Sequence, residues 1–127
     1  MKQKLNIIFE NLGGNVGVIT LKVLKNSFKP ALKLASLKYK TRVYSFNEIS
    51  KDKFIISIIG TEEEIKEEQQ DLIKGLTKMV SQYQEKKENK KLLKRLGEKA
   101  IKPIKKALNN AYMNIGVYVT WEIKNLV

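Results

Sequence analysis

Neither cysteine nor histidine occurs anywhere in the 127 residues. Without cysteine there is no disulfide, no thiolate nucleophile and no cysteine zinc site. Without histidine the usual general base near neutral pH and the commonest metal ligand are both missing, and a serine triad has no partner to take its proton. Arginine is scarce: Arg42 and Arg95 stand against 23 lysines. Proline occurs only at positions 30 and 103, and no Pro/Gly/Ser-rich linker divides the chain. No apolar run approaches the roughly 20 residues of a membrane-spanning helix. The opening MKQKLNIIFENLGG is too short and polar for a secretory signal and lacks a small-residue cleavage site. These absences predict a soluble, cytoplasmic, non-secreted protein and give no support to an enzyme, a cofactor or a metal site.

What is present describes a globular chain. Apolar residues make up 43% and charged residues 30%, within the range that folds around a core. The length fits a single domain over residues 1–127. The net charge of +12 favours a polyanionic partner. Lysine enrichment alongside abundant Asn and Ile is also what AT-rich coding would give. Lysine carries charge without arginine's planar fork, so this surplus suits phosphates better than base edges.

The periodicity predicts six elements. Residues 4–12 alternate around Leu5, Ile7 and Phe9 and read as a strand, closed by Gly13 and Gly14. Over 18–38, Leu21, Leu24, Phe28, Leu32 and Ala35 oppose Lys22, Lys25, Lys29 and Lys33 at helical spacing. This predicts a helix kinked at Pro30, with Ser27 as an N-cap if the helix restarts there. The β-branched residues of 16–26 leave a strand open as the alternative. Residues 41–50 alternate as a one-sided strand, and 53–60 are apolar on both faces, as for a central strand covered on both sides. Thr61 with Glu64 matches a capping box, and the acids that follow suit a helix start. Its buried stripe is predicted as Ile65, Leu72, Leu76, Met79, Val80 and Tyr83. Helix continues through 86–108, with breaks open at Gly97 and Pro103. Residues 115–127 read as a strand, with Val117, Val119, Trp121 and Ile123 on one face and Tyr118, Thr120, Glu122 and Lys124 on the other.

The order strand, helix, strand, strand, helix, strand resembles the ferredoxin-like βαββαβ plan, an α+β fold. That plan implies a four-stranded antiparallel sheet, helices on one face, first and third strands central, and here an extended or broken second helical segment. The fold hosts many unrelated functions, so function has to come from residues.

Ten of the 21 residues at 86–106 are Lys or Arg. On a helix, Leu92, Leu93, Leu96, Ala100, Ile104 and Ala107 fall in one arc. Lys87, Lys91, Lys94, Arg95, Lys102, Lys105 and Lys106 fall in the opposite arc. An ordinary wet face interleaves glutamates as i,i+4 partners; here like charges crowd one turn apart, as on a surface that meets phosphates. Lys22, Lys25, Lys29 and Lys33 add a second row. The chain is thus expected to be a non-catalytic protein that contacts nucleic acid largely independently of sequence. Arg42, Tyr44 and Phe46, with Tyr118, Thr120 and Lys124, are expected on the open sheet face as a place for base stacking or self-association. The glycines of NLGGNVG match neither dinucleotide-binding nor P-loop spacing. The rival expectation is a homo-oligomeric assembly protein, such as a ring, filament or virion component. Residues 61–71, with six acids and one lysine, would meet residues 74–106, with twelve bases and three acids, between copies. No small-molecule substrate is indicated.

Overall fold

The computed structural model describes residues 1–79 and 98–126, with side chains described except at 98–100. The elements are β1 Lys2–Asn11, α1 Asn15–Lys38, β2 Val43–Ser50, β3 Lys53–Thr61, α2 Glu62–Met79, α3 Glu98–Met113 and β4 Val117–Asn125. Val80, Tyr83 and the predicted helix from 86 to 97 lie outside the described residues. The four strands form one antiparallel sheet in the order β2-β3-β1-β4, so the first and third strands are central. The fold class is α+β.

Period-two alternation places one row of each strand in the core. Leu5, Ile7 and Phe9 of β1, Phe54, Ile56 and Ile58 of β3, and Val117, Val119 and Trp121 of β4 are all buried. Leu21 and Leu24 of α1, Ile65, Leu72, Ile73 and Leu76 of α2, and Ile104, Leu108 and Tyr112 of α3 close over that face as one cluster. Four phenylalanines line up across it. Phe28, Phe9, Phe54 and Phe46 follow one another with ring centroids 5.3, 4.6 and 5.1 Å apart. The Tyr112 hydroxyl donates to the Leu76 carbonyl at 2.8 Å and fastens α3 to α2.

Three expectations are corrected here. First, α1 is a continuous helix from Asn15 that passes through Pro30, so Ser27 caps nothing and residues 16–26 are not a strand. Gly13 and Gly14, at φ +110° and +90°, turn the chain where other residues resist. Burial of Leu21 and Leu24 then overrides the β-branched propensity of Val16, Val18 and Ile19. Second, β3 is central but covered on one face only by the described residues; Ile55 and Ile59 lie half-buried on the other. Third, β2 presents Tyr44 and Phe46 to the helices, because they pair with the core residues Ile58 and Ile56. Tyr118, Thr120 and Lys124 pair with Glu10, Ile8 and Lys4 and occupy the opposite face. A one-residue change in register exchanges the faces of a strand, and V-Y-S-F-N offers little to choose between its two rows.

Gly17 explains why α1 begins where it does. A Cβ there would stand 1.8 Å from the Asn11 side-chain oxygen and 2.5 Å from the Gly116 carbonyl oxygen. Only glycine lets the first turn of α1 sit against the α3–β4 turn. The Thr20 hydroxyl, 2.9 Å from the Ile115 carbonyl oxygen, holds the same junction.

Candidate functional site

The nominated lysines divide into three groups. Lys87, Lys91, Lys94 and Arg95 lie outside the described residues. Lys22, Lys29 and Lys33 on α1 and Lys102 and Lys106 on α3 are exposed. Lys25 and Lys105 are half-buried and committed to partners. The Lys25 ammonium pairs with Glu48 of β2 and holds that carboxyl below its usual range. Lys105 donates to the Trp121 carbonyl and lies 5.1 Å from the centroid of the Trp121 ring. Burial lowers its pKa, and nearby Glu122 partly offsets this.

Lys29 and Lys33 flank a groove of about 570 Å³ between the second half of α1 and edge strand β2. Leu32, Tyr44 and Phe46 line its apolar part, with Lys29, Lys33 and Pro30 around them. The Lys29 ammonium stands 5.1 Å from the Phe46 ring centroid, a cation–π distance. No acidic residue occurs anywhere on α1.

A second charged constellation was not foreseen. Arg42 has a side chain only 5% exposed, and it meets three carboxylates of α2. Its guanidinium reaches Glu67 at 2.7 Å, Glu68 at 2.8 Å and Glu64 at 3.3 Å. Tyr44 donates to Glu68, and Thr41 donates to Glu64 at 2.6 Å. The predicted capping box is formed as well: the Thr61 N–H donates to Glu64 at 2.9 Å, and the Glu64 N–H donates to the Thr61 hydroxyl at 3.3 Å. Hydrogen bonds from Thr41 and the Thr61 backbone, with the Arg42 charge, pull the Glu64 carboxyl down to about 2. Burial alone would lower the pKa of Arg42, but Glu68, Glu67 and Glu64 outweigh it and raise it. Burial and the Glu68 carboxylate push the Tyr44 phenol up.

This cluster is a clamp between β2 and α2. The Glu64 carboxyl stays ionised, and one guanidinium meets three carboxylates, so the cluster keeps a negative surplus. It occupies three of the six acids in residues 61–71, leaving Glu62, Glu63 and Asp71 exposed with Lys66 among them. Sequence held one signal for it: Arg42 sits alone just before a strand, and glutamates repeat at 64, 67 and 68 along one helix face. Pairing them required the β2–β3–α2 connection.

The open sheet face carries a polar row at its centre. The Ser57 hydroxyl donates to the Asn6 side-chain oxygen at 2.7 Å, with Ser45 and Glu122 on either side in register. Among the described residues no group of three or more acidic side chains is arranged to hold a metal ion, and no helix is long and apolar enough to cross a membrane. Comparison with known proteins finds no matching family model, no matching curated protein and no matching solved structure.

Proposed function

We propose that this chain is a small, non-catalytic, intracellular single-domain protein of ferredoxin-like plan, carrying one further helix, that associates with nucleic acid through phosphate contacts. The observation that carries this reading is α1, a helix of 24 residues with five lysines and no acid, four of those lysines exposed and two of the four, Lys29 and Lys33, beside β2. Lys22, Lys29 and Lys33 are its first contacts. Lys102 and Lys106 are the exposed contacts on α3, and Lys87, Lys91, Lys94 and Arg95 extend the row in sequence. Lys25 and Lys105 hold neighbouring structure in place. Contacts of this kind carry little base information and weaken steeply with salt. Fluorescence anisotropy with labelled duplexes of two unrelated sequences tests it. Equal, salt-sensitive binding of both supports the reading, and no binding at low salt refutes it.

A second reading, homo-oligomeric assembly, is favoured by a different observation. Ile8, Ile55 and Ile59 are half-buried on the sheet face that the described residues leave open, beside Val43, which is exposed. A second copy laid on this face would bury them. Light scattering after size exclusion tests this; a monomer at working concentration removes it.

A further inference from the structure

Helix α1 has two apolar faces. One packs on the sheet through Gly17, Leu21 and Leu24. On the far side, Val16, Ile19, Val23, Leu34 and Leu37 are each 58% to 73% exposed, and Pro30 is exposed in line with them. These six follow one another in steps of three, four, seven, four and three residues. With the seven-residue step counted as two, the mean spacing is about 3.5 residues, the seam period of paired helices, and the row runs about 31 Å. At about 100° per residue it spans roughly 60° of the helix circumference. A helix lying on a membrane needs a broader apolar face, so this narrow band fits a helix partner better.

The flanks say what that partner carries. Lys22, Lys29 and Lys33 each stand immediately before a seam residue, Val23, Pro30 and Leu34, and so occupy one flank. That flank faces β2, where Lys25 and Lys29 meet Glu48 and Phe46. Thr20, Ser27 and Ala31 form the other flank, which carries one lysine, Lys38, in the last turn. Two copies of α1 paired antiparallel would set lysine against lysine; paired parallel, they would leave the lysines unmatched. Within this chain, residues 80–97 bring more bases than acids and supply no complement.

We propose that the outer seam of α1 docks an amphipathic helix of another protein, one whose apolar stripe is bordered by glutamate or aspartate on the side that meets Lys22, Lys29 and Lys33. The apolar residues anchor the complex, and the lysines choose the partner and its direction. This interaction goes beyond nucleic-acid association and does not depend on it. Both draw on the same three lysines, so the two partners compete.

The probe is a labelled 28-residue helical peptide with leucines at seam spacing and glutamates beside them. Its control carries lysines in place of the glutamates. Binding to the full chain is read by fluorescence anisotropy. The glutamate peptide is expected to bind at least tenfold tighter. The triple variant Lys22→Glu, Lys29→Glu, Lys33→Glu should reverse that preference. Val23→Asp with Leu34→Asp should abolish binding of both while circular dichroism stays unchanged. Equal binding of the two peptides, or no binding, overturns the proposal. So does a dimer by light scattering that the Asp pair dissolves, which makes a second copy the occupant. Binding to vesicles of mixed zwitterionic and anionic lipid that the Asp pair abolishes would make it a membrane instead.

Discussion

Arg42 concentrates the chain's least replaceable polar chemistry in one side chain. Glu67 is 66% exposed and contributes little to the clamp, whereas Glu68 is only 12% exposed and needs its counter-charge. Arg42→Met should therefore destabilise by about 2–4 kcal/mol in urea unfolding, through carboxylates left without a partner. A loss near zero would mean that the clamp is ornamental. Glu64 sets an acid limit. Its carboxyl titrates near 2 in the folded chain against an ordinary value of 4.5. A depressed folded value gives stability that is fully present above about 4.5 and is lost as pH falls toward 2. Unfolding followed between pH 6 and 2 should show this decline, and Glu64→Gln should flatten it. At this scale the capping box was legible, because Thr61 and Glu64 are local partners. The clamp was not, because Arg42 and Glu68 meet only once β3 has returned the chain.

At the scale of elements, close approach matters more than propensity. Alanine outranks glycine inside a helix by about 1 kcal/mol. Gly17→Ala should nevertheless destabilise by more than about 2 kcal/mol, because the added carbon falls on Asn11 and the Gly116 carbonyl. A stabilised variant would deny the contact between α1 and the α3–β4 turn. Pro30→Ala should do the opposite. Proline removes a helical hydrogen bond and crowds the preceding turn, so its replacement on this exposed face should stabilise by about 1–3 kcal/mol in chemical denaturation. Helical periodicity revealed α1 because Leu21, Leu24, Phe28 and Leu32 repeat at the right step. Its second apolar stripe was hidden by the assumption that lysines occupy the whole of the opposite face. The faces of β2 went wrong for another reason: Tyr44 and Phe46 are as plausible under a helix layer as on an open face, and only pairing with Ile58 and Ile56 decides.

For the whole molecule, charge is the dominant property, and the fold sorts it. Sequence alone gave the sign and the candidate lysines. It did not reveal that Lys25 and Lys105 turn toward Glu48 and Trp121 while Lys22, Lys29, Lys33, Lys102 and Lys106 stay exposed. That distinction depends on which tertiary neighbours lie within reach of a long, flexible side chain. Each phosphate contact on a duplex contributes about −0.9 to the slope of log affinity against log salt. The most direct test compares the native chain with a variant in which those five exposed lysines are glutamine, using anisotropy with a generic duplex across a salt series. The expected result is a slope about 4.5 shallower in the variant and affinity lost without regard to duplex sequence. A native chain that fails to bind at low salt, or a variant with an unchanged slope, would contradict nucleic-acid association through these lysines.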